Sequence, residues 1–445
     1  MLSFFGFLIT LAILIVVHEF GHYWMARLFK VKVICFSVGF GPKLLQWQGK
    51  HNQWCISLIP LGGYVQMLEE TPSNRVNDSL ASSVYTYKPA WQRILIAGAG
   101  PLANLLFAFI AYYILGMYGV NQLRPVIQSI NPTPLVHNLN QLPLNSTIKT
   151  INNQAITSWQ EAEQIVKQIK LPQTNLIITT TAQQKYTFNL NEYLLNRDHL
   201  SLTDLGIYPF RFLSQIAYIE PQSPASQAGL QEQDQIIAIN QQSLNSWFNI
   251  AQIIRQHPSD KLNFTIKRGQ QVLNLPVTIA SSTDENGQII GKIGIMPTLD
   301  THLLAQNSFI QYYTWTSSFI YAYDACLNLI INNLQMIYSL INGQISWHNV
   351  GGPVTIAKAS GLALHQGIKS FIDLLALISL SLAVMNLLPI PILDGGHIVL
   401  YSIEILRGKP LEAKTQHLIL TIGLMMVLAI TGIALYNDFL KLLNL

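Results

Sequence analysis

The stretch His18-Glu19-Phe20-Gly21-His22 decides how this chain is read, because it closes an apolar run from Leu2 to Val17. The pattern is H-E-x-x-H. On a helix, residues i and i+4 share a face, so His18 and His22 can grip one metal ion together. Glu19 then lies beside that ion, placed to take a proton from an attacking water. Ionisable side chains within a membrane span are costly and usually functional. A hydrolytic zinc site inside the bilayer is the first expectation.

Composition agrees with a membrane setting. Of 445 residues, 50% are hydrophobic and 11% charged, and the mean hydropathy is +0.31. An average soluble protein carries about twice that charged fraction. The net charge of +4 is too small to argue for a nucleic-acid partner. Cys35, Cys55 and Cys326 are odd in number and form no C-x-x-C, which supports neither a disulfide framework nor a cysteine zinc site. Leu2–Val17 has no basic leader and no A-x-A cleavage site, and it runs straight into the histidine motif, so it reads as a retained span.

Four apolar segments, Leu2–Met25, Ile94–Leu115, Phe371–Leu393 and Leu418–Leu435, approach the ~20 residues a helix needs to cross the hydrocarbon. Arg27, Lys30, Lys32, Lys43, Lys50, Arg75, Lys88 and Arg93 lie between the first two, and Arg407, Lys409 and Lys414 between the last two. No Lys or Arg precedes the first. The positive-inside rule therefore puts these two loops in the cytoplasm and both termini outside. The chain divides into a first span with the histidine motif (1–25), a cytoplasmic loop (26–93), a second span (94–115), an extracytoplasmic region (116–300), an amphipathic helical linker on the outer face (301–367), a third span (368–394), a cytoplasmic loop (395–415), a fourth span (416–436) and an extracytoplasmic tail (437–445). Asp324, Asn328, Asn332 and Asn333 favour an interfacial helix within the linker over a fifth span.

The extracytoplasmic region contains a repeat. Ile151-Asn152-Asn153-Gln154-Ala155-Ile156-Thr157-Ser158-Trp159 matches Ile239-Asn240-Gln241-Gln242-Ser243-Leu244-Asn245-Ser246-Trp247, and Ala162–Gln168 then matches Ile250–Gln256. Two α+β modules of about 90 residues follow, at 116–207 and 208–300, with strand-like runs such as Leu176–Thr181 and Leu262–Lys267. In the second, Ser223-Pro224-Ala225-Ser226-Gln227-Ala228-Gly229-Leu230 and the Asp234-Gln235-Ile236-Ile237 that follows resemble the signature of bacterial-type PDZ domains. Such domains add a peptide as a strand on an open sheet edge, which makes Ala228, Gly229 and Leu230 candidate peptide contacts. The first module has Leu142-Pro143-Leu144-Asn145-Ser146 instead, a degenerate version.

A catalytic zinc needs a third protein ligand. Positions 25 and 28 are Met25 and Leu28, so the H-E-x-x-H-x-x-G-x-x-H option fails. The best candidate is Asp394, in Asn386-Leu387-Leu388-Pro389-Ile390-Pro391-Ile392-Leu393-Asp394-Gly395-Gly396-His397. Spans one and three both run inward and carry their candidate ligands at the inner end, so His18, His22 and Asp394 can meet at one depth. Pro389 and Pro391 should break the helix just before Asp394. His397 and Glu404 are weaker candidates.

Together, H-E-F-G-H, P-L-G-G-Y-V at Pro60–Val65, G-x-G-P-x-x-N at Gly98–Asn104, N-V-G-G-P at Asn349–Pro353 and N-x-x-P-x-P-x-L-D-G at Asn386–Gly395 resemble the site-2 proteases over nearly the whole chain. That resemblance implies a polytopic α-helical membrane protein with four transmembrane helices, a membrane-associated β-hairpin or sheet and two extracytoplasmic PDZ-like domains. It implies one Zn2+ per chain on His18, His22 and Asp394, with Glu19 as general base and Asn386 holding the substrate backbone or polarising its carbonyl. Gly62, Gly63, Tyr64, Val65, Gln66 and Met67 would form a strand that holds the substrate extended, with Pro389 and Pro391 also in contact. The substrates implied are single-span proteins of a bacterial inner membrane: an anti-sigma factor already cut by a periplasmic protease, and remnant signal peptides. Gly98, Gly100 and Asn104 read as helix-packing residues. Two rivals stay open: a membrane-anchored quality-control zinc protease, which normally uses a Glu as third ligand, and a non-catalytic PDZ peptide receptor, which would not need Glu19.

Overall fold

The computed structural model describes residues 2–70, 78–131, 139–169, 175–190, 200–244, 246–283, 287–343, 347 and 350–443. Arg75, Asn245, Asn349 and the last two residues of the expected tail lie outside them. The chain forms two units, one from residues 1–119 and 312–445, the other from 120–311.

The first unit holds the long helices α1 (Leu2–Leu28), α2 (Ala90–Tyr118), α3 (Trp315–Ile341), α4 (Pro353–Gln366), α5 (Ile368–Leu387), α6 (Asp394–Arg407) and α7 (Ala413–Leu443). Among the described residues, four helices are long and apolar enough to cross a membrane: α1, α2, α5 and residues Lys414–Leu440 of α7. They match the four apolar segments of the sequence, with three differences. The helix expected over 368–394 stops at Leu387. Pro389 and Pro391 fall in the break, Ile392 takes a left-handed φ of 86°, and Asp394 opens α6 instead of closing α5. A proline cannot continue the ladder, and the residue ahead of it is pushed to extended backbone. The expected loop 395–415 is thus mostly helix α6. The expected tail from 437 is helix, because Asn437 and Asp438 have partners. Asn437 donates to the Trp347 and Val350 carbonyls, and Asp438 accepts from the Gly352 and Val354 N–H groups and the Thr355 hydroxyl. Asp438 so caps α4, whose first N–H groups have no partner within the helix. Helix α3, within the expected linker, packs along α2 and α5 in one apolar cluster that includes Tyr112, Ala322 and Leu380.

Two long bent strands, β1 (Val33–Gln48) and β2 (Gln53–Met67), pair into a sheet within residues 26–93. Residues 43–48 pair with 53–57, 53–56 also with 35–38, and 33–38 in turn with 63–67. Residues 63–67 are thereby an edge, paired on one side only among the described residues.

In the second unit the repeat is visible residue by residue. The first module runs Ile148–Ile151, Gln154–Ala155, helix Trp159–Lys167, Asn175–Thr180, Lys185–Asn189; the second runs Gln235–Ile239, Gln242–Ser243, helix Trp247–Gln256, Lys261–Arg268, Gln271–Thr278. Asn152 and Asn153 sit at φ 47° and 65°, Asn240 and Gln241 at 49° and 67°, the paired left-handed geometry of a tight hairpin turn. Asn152 and Asn240 each accept a hydrogen bond from the neighbouring strand, at the N–H groups of Ile177 and Asn263. Each module has its own core, one around Ile151, Leu176 and Ile178, the other around Ile239, Phe264 and Ile266. The boundary lies a little beyond 207: Ile207–Tyr208 pairs with Ser129–Ile130, and the second module's sheet begins at Phe212.

Candidate metal centre

His18 and His22 lie one turn apart near the end of α1, and Asp394 opens α6. Their ligand atoms all fall within 4.8 Å of one another. The Nε2 atoms of the two histidines are 3.2 Å apart. Asp394 Oδ2 is 3.2 Å from His18 Nε2, and Oδ1 is 3.5 Å from His22 Nε2. Two imidazole nitrogens and one carboxylate, converging on one point, are the protein donor set of a catalytic zinc site. The donors fit the ion, and zinc would be held by His18, His22 and Asp394.

Local sequence explains the convergence. A Cβ on Gly21 would stand 2.2 Å from the Ala99 carbonyl oxygen, and one on Gly100 would stand 2.2 Å from His22 Nε2. Gly21 therefore lets α1 lie close against the α2 backbone, and Gly100 leaves room on α2 for the histidine rings. Gly395 and Gly396 fold α6 back onto the break: a Cβ on either would reach within 2.3 Å of a carbonyl oxygen of Leu388 or Ile390. His22 Nδ1 is 2.8 Å from the Ile96 carbonyl. That acceptor fixes the proton on Nδ1 and leaves Nε2 as the ligand atom.

Glu19 is buried beside these ligands and against the sheet, where a Cβ on Gly63 would stand 2.9 Å from its Cγ. This brings the edge strand 63–67 to the same place. Gly62, Gly63, Tyr64, Val65 and Met67 are half-buried there and Gln66 is exposed. Asn386 is half-buried in the last turn of α5, ahead of Pro389 and Pro391. His397 stacks on Tyr401 and Glu404 pairs with Arg93, so neither joins the ligand group.

The structure adds detail to two sequence readings. Ala228, Gly229 and Leu230 do not lie on an open sheet edge. Ala228 ends a short helix, Gly229 turns at φ 80° with its carbonyl accepting from Arg268, and Leu230 is buried in the module core. They build the module. Gly100 and Asn104, read as packing residues, touch the histidines themselves: Asn104 Nδ2 is 3.3 Å from His18 Nδ1. The chain signal was present, since Gly100 and Asn104 sit one helical turn apart as His18 and His22 do, but nothing in the sequence tells which face of α2 meets α1.

Residues 6–430 match the family described as peptidase family M50. The Regulator of sigma-E protease RseP of Salmonella typhimurium is 33% identical over 445 residues, covering 98% of this chain and 98% of its own. A Neisseria meningitidis protein provisionally named a zinc metalloprotease is 31% identical, covering 99% of both. Among solved structures, the crystal structure of the PDZ domain of the SdrC-like protein from Listeria monocytogenes covers 20% of this chain and 88% of its own, at 21% identity and a TM-score of 0.17.

Proposed function

The chain belongs to peptidase family M50, the site-2 proteases, and from that premise we propose that it is a zinc-dependent endopeptidase cutting transmembrane segments of single-span proteins. The carrying observation is the meeting of His18, His22 and Asp394 beside a buried Glu19, on helices able to cross a bilayer. When bound, zinc supplies a Lewis acid that makes water nucleophilic near neutral pH and polarises the scissile carbonyl. Glu19 takes the proton of the attacking water and delivers it to the leaving amine nitrogen. Asn386 steadies the carbonyl from the end of α5. A helix conceals its peptide bonds, so the substrate must unwind; the edge at Gly62–Met67 offers it a strand to pair with next to Glu19. Leu44, Leu45, Trp47, Leu58 and Ile59 are exposed on the same sheet, a surface suited to lipid.

The setting is a bacterial inner membrane, with the site toward the cytoplasm and the modules outside. The substrates are an anti-sigma factor already shortened by a periplasmic protease, as the sigma-E name of the relative suggests, and remnant signal peptides. The modules select substrates by the size or end of the outer domain. The test is cleavage in liposomes of a purified single-span anti-sigma substrate lacking its outer domain, by wild type and Glu19→Gln, with zinc measured on both. Loss of roughly 100- to 10,000-fold with zinc retained is expected; equal cutting by both refutes the base, and zinc on neither refutes the metal centre.

A further inference from the structure

Asn104 is 1% exposed, and it lies on α2 against the first zinc-site histidine. Its side-chain nitrogen is 3.3 Å from His18 Nδ1, while its side-chain oxygen is buried with no hydrogen-bond partner. The two ends of an amide exchange places by a half-turn, and which end faces His18 is set by the tautomer that His18 holds. Turned that way, the oxygen faces His18 Nδ1. A histidine that ligates through Nε2 carries its proton on Nδ1 and needs an acceptor there. His22 already has one, the Ile96 carbonyl at 2.8 Å, and it comes from the same helix α2. Helix α2 can therefore serve both histidines: a main-chain carbonyl for His22, and a side-chain carbonyl for His18. Ser379 on α5 donates to the Asn104 backbone carbonyl at 3.0 Å, which ties the main chain at this point to the next helix.

We propose that Asn104 is a positioning residue for His18: its side-chain oxygen accepts from His18 Nδ1–H and leaves Nε2 directed at the metal. The proposal rests on the zinc-protease reading. It also says which half of the amide matters, so the two halves can be separated by substitution. Aspartate at 104 keeps the acceptor and loses the donor, and leucine keeps the volume and loses both.

The test uses the full chain in detergent, with zinc affinity measured by competition against a chromophoric chelator and histidine coordination by zinc-edge X-ray absorption at saturating zinc. Asn104→Leu should weaken zinc roughly 10- to 100-fold and lower the histidine count in the spectrum, with the melting temperature of the metal-free chain close to wild type. Asn104→Asp should hold zinc within about threefold of wild type and keep the two-histidine spectrum. If Asn104→Asp loses zinc as Asn104→Leu does, the donor or the packing is what counts, and the proposal falls. If Asn104→Leu does not fold, Asn104→Ala, which also lacks the acceptor, is read in its place. Equal zinc binding by all three chains overturns the role of Asn104 and leaves the metal centre standing; no zinc on wild type overturns both.

Discussion

The two units of this molecule differ in how many polar groups they enclose beside their apolar cores. In the 120–311 unit the interior is Ile, Leu, Val and Phe, with Ile151, Leu176, Ile239 and Phe264 among those fully enclosed. In the helical unit many of the enclosed groups are polar or small: Thr10 bonded to Ser360, Ser379 bonded to the Asn104 carbonyl, Glu19, His22 and Asp438. Many of its large apolar side chains, among them Phe20, Trp24, Leu102, Leu106, Met425 and Leu428, point outward. Burial of apolar surface stabilises the modules because water surrounds them. Between helices in lipid that gain is absent, and close contact of small residues and hydrogen bonds replace it. The candidate ligand His22 and the neighbouring Glu19 share that interior with other buried polar groups such as Asn104 and Ser379.

The comparison can be broken most sharply in a module core. Phe264→Ala should cost about 3–5 kcal/mol, seen as faster limited proteolysis within 120–311, while zinc content of the full chain stays at the wild-type level. Loss of zinc along with the module would show that the two units do not fold independently. Next in size is a matched pair of surface changes. Leu106→Asp, outward on α2, should cost ~3 kcal/mol in membrane insertion, read as reduced accumulation of inserted chain. Val272→Asp, equally outward on a module strand, should stay within about 1 kcal/mol. Equal tolerance of both would mean that the outer face of α2 does not meet lipid. The smallest effect concerns acid. The Leu303 N–H, and then the Arg211 guanidinium, hold the Asp300 carboxyl below its usual value of 3.8. A carboxyl depressed on folding contributes stability that is full above its unfolded pKa and fades as pH falls through the lower folded one. Hydrogen exchange across Thr301–Gln306, the helix that Asp300 caps, should quicken below about pH 4 in the wild type and lose that dependence in Asp300→Asn.

The repeat was legible at single-residue resolution because tight turns need left-handed backbone at two successive positions, and Asn tolerates it. The Ala228-Gly229-Leu230 stretch was legible as a motif, but its place in the module was not. It is a helix end followed by a core anchor, and a linear pattern does not separate contacts that build a domain from those that meet a ligand. The break ahead of Asp394 was legible in Pro389 and Pro391, whereas the bound at 394 was set by composition alone. Apolar composition continues through Leu393, while the backbone stops being helical ahead of Pro389, where the hydrogen bonds stop.

By itself, the sequence determined the four apolar helices, the two repeated modules and the residue types of the metal centre. These follow from local properties: length, periodicity, and an i, i+4 pair on one helix face. Only the tertiary structure decided that α2 presents Gly100 and Asn104 to the histidines, that residues 63–67 form the edge beside Glu19, and that Asp394 opens a new helix toward His18 and His22. Each of those depends on which face of one element meets another. That is settled by where a missing side chain lets two backbones approach, and residue order alone does not record it.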